Sequence, residues 1–203
     1  MWVIKLGGAL AKSGALRHWL DVLAEAGGGR LVIAPGGGAF ANQVREAQTQ
    51  WQFPEATAHR MAILAMDQYA LMMCGIRKEL TPATNASEIQ TVLAQGGVPV
   101  WLPSMMLLRE ADIAQNWDVT SDSLSAWLTK KIEASALMLV KEVSVDSKAI
   151  HAAKLAERGI VDREFPSFAA AGGFAMRLLH RDEFNSVGDM LRGTGAAGIR
   201  ILR

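Results

Sequence analysis

The stretch VIKLGGAL (Val3–Leu10) decides the fold class of this chain. It begins with apolar, partly β-branched residues and stops at Gly7 and Gly8, which is typical of a short strand buried within a sheet. The stretch RLVIA (Arg30–Ala34) has the same character and runs into a proline and three glycines. Apolar residues at helical spacing over Leu16–Leu23 separate the two stretches, so the chain begins with a predicted strand, helix and strand.

The same alternation continues along the chain. Further apolar runs, predicted to be strands, lie at Val98–Leu102, Ala136–Val140, Phe174–Leu179 and Gly198–Leu202. Helices are predicted at Ala39–Ala47, Glu55–Leu80, Asn85–Gln95, Thr120–Ile132, Ala152–Arg158 and Arg181–Leu191. The helix that begins near residue 120 has Thr120 or Ser121 as its predicted N-cap. Strands alternating with helices predict an α/β fold with a mostly parallel central sheet and helices on both faces.

The composition narrows the classes of function. The 203 residues contain no evident linker or repeat, which predicts a single domain over residues 1–203. Lys plus Arg number 21 against 20 for Asp plus Glu, so charge gives no reason to expect a nucleic acid or a membrane as partner. The single cysteine, Cys74, excludes an intrachain disulfide and favours the cytoplasm. With four scattered histidines besides, no protein metal site is expected.

Three of the predicted strands end in residues that suit a phosphate. The first ends at Lys5, Gly7 and Gly8, the second at Gly36–Gly38, and the strand Ala136–Val140 at Lys141. Glycine turns let backbone N–H groups approach an anion, and a helix that follows such a turn adds the positive end of its dipole. One glycine pair alone usually marks only a tight turn. Because the carboxyl ends of parallel strands share one edge of the sheet, these turns and lysines together predict a phosphate site there.

The common phosphate-binding motifs are absent. The chain contains no G-x-x-x-x-G-K-[ST] loop and no protein-kinase signature set, and the spacing of Gly36, Gly37 and Gly38 does not make a G-x-G-x-x-G fingerprint. It also lacks the G-x-S-x-G turn of a serine hydrolase.

Five segments resemble the amino acid kinase family, which includes carbamate, acetylglutamate, aspartate, uridylate and isopentenyl phosphate kinases. They are VIKLGGAL (Val3–Leu10), VIAPGGGAFANQVRE (Val32–Glu46), NWDVTSDSLSAWL (Asn116–Leu128), LMLVKEVSVD (Leu137–Asp146) and GTGAAGIRIL (Gly193–Leu202). They span nearly the whole chain in the order expected for the family. The resemblance implies the fold already predicted, with the acceptor bound by the N-terminal part and the nucleotide by the C-terminal part.

The resemblance also implies roles for single residues, with ATP as phosphate donor and Mg²⁺ carried by it. Lys5 would contact the transferring phosphate, and Asp122 would orient the catalytic lysines. The nucleotide side would be formed by Lys5, Gly7, Gly8, Lys141 and Asp146, and the acceptor side by Gly36, Gly37, Gly38, Asp118 and Thr120.

One branch of the family is most similar at WDVTSD (Trp117–Asp122) and GIVDREFPSF (Gly159–Phe168). It contains the furan-phosphate kinases of methanofuran-type cofactor synthesis, whose acceptor is a phosphate monoester that carries an amine. Asp118 would then be a partner for the amine. A role in the entry to the following helix explains Asp118 equally well.

Three further residues and one helix are also considered for a role in function or assembly. Arg177 stands where acetylglutamate kinases carry a late catalytic lysine and could supply a cation there. Lys12 could reach a phosphate, although a solvated loop lysine is the simpler expectation, and His59 is expected on a helix surface. The apolar helix Glu55–Leu80 is expected to form a homodimer or a higher homo-oligomer.

The favoured hypothesis is transfer of the ATP γ-phosphoryl group to an ionised oxygen, on a phosphate monoester or alternatively on a carboxylate such as an amino acid. No general base is evident, and an ionised acceptor needs none. A neutral alcohol would need one, and Asp122 is the candidate. Two hypotheses without catalysis remain: a regulator that binds a nucleotide or metabolite, and a structural subunit of a larger assembly.

Overall fold

The computed structural model describes residues 1–203 and arranges them around one eight-stranded sheet. The strands are β1 (Trp2–Leu6), β2 (Leu31–Pro35), β3 (Leu80–Ala83), β4 (Val98–Trp101), β5 (Ala136–Lys141), β6 (Ala149–His151), β7 (Ala175–His180) and β8 (Ile199–Leu202). Their order across the sheet is β3-β4-β2-β1-β5-β7-β8-β6. β7 and β8 pair antiparallel, and all other neighbouring strands pair parallel.

Nine α-helices connect and cover these strands. They are α1 (Ala15–Ala26), α2 (Gly38–Trp51), α3 (Glu55–Ile76), α4 (Ala86–Ala94), α5 (Ser104–Leu107), α6 (Ser121–Lys131), α7 (Ala152–Glu157), α8 (Phe165–Ala170) and α9 (Phe184–Leu191). A 3₁₀ turn at Gly8–Lys12 follows β1. None of the helices is both long and apolar enough to cross a lipid bilayer.

Strand alternation divides the core into two layers, one on each face of the sheet. Val3 on β1 packs into a cluster that includes side chains of α4, α6 and α8, whereas Ile4 packs into a second cluster with side chains of α1 and α9. Both residues are fully buried, as expected for a strand that is covered on both sides. The predicted mostly parallel sheet with helices on both faces is confirmed.

The prediction of one helix over Glu55–Leu80 was wrong at its end. Helix α3 stops at Ile76, Arg77 is extended with φ −130°, and Leu80–Ala83 forms β3. Because Pro82 lacks an N–H group, a strand that contains it is tolerated at the edge of a sheet, and β3 is an edge strand paired only with β4. The strands predicted third and fourth along the chain are therefore β4 and β5.

Besides the 3₁₀ turn, three other elements were not predicted, and one of them is the four-residue helix α5. Strand β6 has only three residues and pairs with β8 at the far edge, and helix α8 begins beside Pro166 in the segment that the sequence left unassigned. All three are too short to show a clear period in sequence. Strand β6 also depends on β8 from later in the chain, whereas α8 packs against α6 and α7 from earlier in it.

The sheet changes direction of winding at β1, which pairs with β2 on one side and with β5 on the other. After β1 the chain forms β2 beside it, then β3 at the outer edge and β4 between β3 and β2, and it returns to place β5 against the free side of β1. A crevice opens beyond the carboxyl ends of the strands at such a switch point. This crevice lies where Leu6, Pro35 and Lys141 end their strands.

Two glycine turns meet in this crevice with their backbones in direct contact. A Cβ atom placed on Gly8 would lie 2.3 Å from the nitrogen of Gly38, and one placed on Gly36 would lie 2.7 Å from the nitrogen of Gly8. Gly38 also has φ +57°, a conformation that favours glycine. Gly36 N–H donates to the carbonyl of Leu6 at 2.9 Å. The turns after β1 and β2 therefore form one surface.

We expect Gly8→Ala to destabilise the fold by about 1–3 kcal/mol, because the added methyl group would have to separate the two turns. The matched control is Gly14→Ala, where nothing lies within 4 Å of the added Cβ and φ is −60°. Urea denaturation of both variants measures the difference. Equal free energies of unfolding for the two variants would contradict the close contact.

Candidate active site

Two lysines and one aspartate form a buried ion cluster at the carboxyl end of β1. Lys5 projects from β1 towards α6, and its Nζ lies 2.7 Å from Oδ1 of Asp122 in the first turn of that helix. Lys141, the last residue of β5, places its Nζ 2.6 Å from Oδ2 of the same carboxylate. The exposed fractions of the Lys5 and Asp122 side chains are 4% and 5%, and that of Lys141 is 17%.

The cluster perturbs the protonation of its members. Burial opposes ionisation of Asp122, but the charges and hydrogen bonds of Lys141 and Lys5 outweigh it and hold the pKa of Asp122 well below its usual range. Burial lowers the pKa of Lys141 to about 8, and the nearby Lys5 charge acts in the same direction while Asp122 opposes both. The site thus holds two cations and one anion close together at neutral pH.

The larger of two pockets beside this cluster has a volume of about 360 Å³ and is named here the large pocket. Its floor is the start of α2, where Gly37 and Gly38 bring backbone N–H groups and the helix dipole. Its side chains include the cations Lys12 and Arg45, together with Asn42, His59, Trp117, Thr120 and Glu142. Lys12 therefore lines a pocket, although a solvated loop position was the simpler expectation.

Arg45 was missed by sequence reasoning. Its guanidinium lies 3.6 Å from the centroid of the Trp117 ring, whose Nε1 donates to Oε1 of Gln48 at 2.7 Å. This stack builds one wall of the large pocket and fixes a cation within it. A signal was present: Gly38, Ala41, Asn42 and Arg45 all line the pocket and recur at helical spacing along one face of α2.

The expectation that His59 lies on a helix surface was wrong. The residue is 4% exposed, lines the large pocket, and shares a 2.9 Å hydrogen bond between Nδ1 and the carbonyl of Asn116. A carbonyl only accepts, so Nδ1 carries the proton and Nε2 holds the lone pair of the neutral ring. Burial lowers the pKa of His59, although the bond to Asn116 opposes this, and the neutral form is therefore favoured.

The smaller pocket has a volume of about 290 Å³ and lies on the β5 side of the cluster. It is named here the small pocket, and it is lined by Lys5, Gly7, Gly8, Ala9, Leu10, Val140, Lys141, Glu142, Val143, Gly159 and Ile160. Gly8, Ala9 and Glu142 line both pockets. The two pockets therefore meet at the turn after β1, next to Lys5.

Besides Asp122, which is buried in the ion cluster, three of the sequence-predicted site residues lie outside both pockets. Gly36 is buried in the contact between the two turns. The Asp118 side chain is 43% exposed and lies 3.5 Å from Nη1 of Arg163. Asp146 is exposed in the loop after β5 and lines neither pocket.

Arg177 does not supply a cation to this site. It lies in the middle of β7, opposite Met138, and its Nη1 donates to the carbonyls of Ala197 at 2.8 Å and Gly198 at 3.1 Å. These bonds tie β7 to the segment that leads into β8. The suggestion that Arg177 replaces a late catalytic lysine was therefore wrong, because the side chain lies below the carboxyl edge and is used in the fold.

Comparison with known sequences agrees with the motifs. Residues 1–158 match the model of the amino acid kinase family. The chain is 29% identical over 145 residues to the 5-(aminomethyl)furan-3-ylmethyl phosphate kinase of Methanocaldococcus jannaschii. This match covers 70% of the chain and 66% of that relative, so the chain spans about two thirds of the relative's length.

Solved structures show the same fold at low sequence identity. UMP kinase from Ureaplasma parvum aligns with a TM-score of 0.73 at 14% identity, covering 100% of this chain and 98% of that one. UMP kinase from Bacillus anthracis gives 0.73 at 15% identity, with 98% and 94% covered. Uridylate kinase from Archaeoglobus fulgidus gives 0.72 at 14% identity, with 99% of each chain covered.

Proposed function

The chain belongs to the amino acid kinase family, and we propose that it transfers the γ-phosphoryl group of ATP to a small phosphate monoester. The observation that carries this proposal is the Lys5–Asp122–Lys141 cluster at the junction of two pockets that share the Gly8 turn. Phosphoryl transfer needs charge neutralisation and in-line positioning more than covalent help from the protein.

The cluster suits this chemistry because each lysine keeps donors for phosphate oxygens. An ammonium has three N–H donors, and the bonds to Asp122 use one from each lysine. During transfer, an acceptor oxygen forms a bond to the γ-phosphorus while the bond from that phosphorus to the β–γ bridging oxygen breaks, and the electron pair stays on ADP. Lys5 and Lys141 neutralise the charge that moves, and Asp122 holds both in place.

We assign the nucleotide to the small pocket and the acceptor to the large pocket. The small pocket holds both cluster lysines and the Gly7–Gly8 turn, which suits the donor phosphates. The large pocket offers the α2 N-terminus and Arg45, which suit an acceptor that is itself an anion. Trp117 in the same wall suits an acceptor with a flat, aromatic body.

The acceptor class follows from these features and from the relative, whose name describes a furanmethyl phosphate with an aminomethyl group. Arg45 would pair with the phosphate, Trp117 would contact the ring, and Nε2 of neutral His59 would accept a hydrogen bond from the amine. The sequence had suggested Asp118 as the partner of the amine. We propose His59 for this role instead, because His59 lines the large pocket and Asp118 does not. Thr120 would contact the acceptor from the opposite wall.

Magnesium fits this site as a partner of the nucleotide. No group of three or more His, Cys, Asp or Glu side chains that could hold a metal ion is present. Mg²⁺ would therefore be held mainly by ATP phosphate oxygens, as is common for this ion, and would neutralise charge on the donor.

A homodimer through α3 is the proposed assembly. Met61, Leu64 and Leu71 are 37%, 47% and 52% exposed and lie, with Gln68, on one stripe of this helix. A stripe of large apolar side chains of this length suits a second copy of itself, because a twofold axis brings the same patch of both subunits together.

The kinase assignment is tested by ATP-to-ADP conversion with Mg²⁺ against a panel of acceptors. The panel contains an aminomethyl-furanmethyl phosphate, UMP, isopentenyl phosphate, glutamate, aspartate, acetylglutamate and carbamate. We expect turnover with a phosphate monoester and a loss of roughly a thousandfold in Lys5→Ala, because a cation at the transferring phosphate disappears. The control is Lys78→Ala, an exposed lysine that lines neither pocket.

Three other outcomes of this panel would contradict parts of the proposal. Turnover with carboxylates alone would overturn the acceptor class. Normal turnover in Lys5→Ala would overturn the role of the cluster. ATP binding without turnover on any acceptor would favour a nucleotide-binding regulator.

We expect kcat/KM for ATP to fall as the pH rises through about 8, because Lys141 then loses its proton in the free protein. Lys141→Arg keeps the charge, so its kcat/KM should stay level to higher pH.

Loss of the folded state would not explain a fall of kcat/KM above pH 8. The folded pKa lies below the unfolded value of 10.5, so the Lys141 contribution to stability becomes more favourable between about pH 8 and 10.5. A flat wild-type profile to pH 10 would contradict the assignment.

We expect the double variant Leu64→Glu, Leu71→Glu to be a monomer, because charges on the stripe would oppose each other across a twofold axis. The control is Leu202→Glu, because Leu202 is an exposed apolar residue on β8. Helix α3 packs on β2, β3 and β4, which lie on the other side of β1 from β8. Sedimentation velocity measures the mass of each. A wild-type monomer, or a double variant with the wild-type mass, would contradict this interface.

A further inference from the structure

Asp162 lies in the loop between α7 and α8 and makes an unusual number of hydrogen bonds to one turn of another helix. Its Oδ2 accepts from the backbone N–H of Thr120 at 3.0 Å, from the Thr120 hydroxyl at 2.8 Å and from the backbone N–H of Ser123 at 3.0 Å. Its Oδ1 accepts from the Ser123 hydroxyl. All of these donors flank Asp122.

These bonds replace the usual cap of α6. Thr120 occupies the N-cap position, but its hydroxyl makes no bond to its own helix and donates to Asp162 instead. The N–H of Ser123, which an N-cap side chain would ordinarily satisfy, also goes to Asp162. The prediction that Thr120 or Ser121 is the N-cap residue is confirmed for Thr120, but its side chain does not bond its own helix. The cap is a carboxylate from 39 residues further along the chain.

The turn that Asp162 fixes is the turn that presents Asp122 to the lysines. Asp122 lies between the two bonded residues, and its two oxygens meet Lys5 and Lys141 at 2.7 and 2.6 Å. A rotation of this turn would move both contacts at once. The carboxylate of Asp162 is also negative at the positive end of the α6 dipole, where it is favoured.

The loop lines the small pocket directly and is bonded to Thr120, which lines the large pocket. Gly159 and Ile160, just before Asp162, line the small pocket, whereas Thr120 lines the large one. The loop is joined to the start of α6 a second time, because the N–H of Glu164 donates to the carbonyl of Asp118 at 3.1 Å. Asp162 therefore connects the wall of one pocket to the wall of the other.

We propose that Asp162 is the positioning residue of the site: it holds the first turn of α6 so that Asp122 stays between Lys5 and Lys141. It lines neither pocket and acts through Asp122. It also adds a negative charge near Lys141, alongside Asp122 and opposed by Lys5, and this charge favours protonated Lys141.

The test variant is Asp162→Asn, which keeps an oxygen for the two backbone N–H groups and removes the charge. We expect kcat to fall roughly tenfold or more while KM for ATP changes by less than about threefold, because misplaced catalytic groups affect the transition state most. We also expect the alkaline fall of kcat/KM to move to lower pH, because the lost charge of Asp162 favoured protonated Lys141. A residue with a purely structural role would not shift the pH at which kcat/KM falls.

Two further variants separate the possible causes. Ser123→Ala removes one hydroxyl bond and keeps the charge, so a smaller fall in kcat of about two- to tenfold is expected, without a shift of the pH profile. Arg163→Ala removes the neighbouring, 78% exposed side chain of the same loop and should leave both readouts unchanged. The proposal is overturned by wild-type kcat in Asp162→Asn. An equal loss in Arg163→Ala, or an unmoved pH profile, overturns it too.

The kinetic readouts rest on the proposed phosphotransfer, and a second readout does not. In protein with ¹³C-labelled lysine, Lys141 should titrate near pH 8, well below ordinary lysines, and Lys141→Arg identifies its signal. Asp162→Asn should lower this midpoint, because it removes a negative charge that favours protonated Lys141, and Arg163→Ala should not. If no acceptor supports turnover, the kinase proposal fails, and the lysine titration alone decides the role of Asp162: an unmoved midpoint overturns it.

Discussion

One buried carboxylate that binds two lysines is the interaction on which the site depends. Lys5 and Lys141 come from neighbouring strands, and without Asp122 their charges would stand close together in a buried region. Removing one partner of a buried ion pair leaves a charge uncompensated, which typically costs about 3–5 kcal/mol. The start of α6 is therefore fixed against β1 and β5, and the geometry of both pockets follows from that position.

The winding of the sheet supplies the second constraint. Since β1 lies between β2 and β5, its carboxyl end faces two half-sites, one built from the early part of the chain and one from the later part. The contact of Gly8 with the Gly36–Gly38 turn leaves no side chain between them. Two ligands can thus approach the same backbone, one from each pocket, and close approach of donor and acceptor is what a phosphotransferase requires.

Much of this was predictable from local patterns. The apolar runs, the glycine stops and the lysines at strand ends lie within short windows, and the rule that parallel strands share one carboxyl edge brings Lys5, Gly8 and Lys141 together. Family resemblance added Asp122, which is 117 residues from Lys5. Prediction failed where local signals were short or contradictory. Strand β3 was missed because it is short and contains Pro82, and the helical period of α3 led to a predicted helix longer than the observed one, which ends at Ile76.

The sequence by itself determined the fold class, the family and the chemistry at the strand ends, because strand and helix periods and turn residues act over a few neighbouring positions. Tertiary structure alone decided which polar residues serve the site. His59 is buried because the carbonyl of Asn116, 57 residues away, binds it. Arg177 supports the fold because two carbonyls before β8 accept its bonds. Asp162 caps a helix that begins 41 residues earlier, since packing of α6 against α8 brings the two together. Such pairings depend on how distant elements pack, and no local window contains that information.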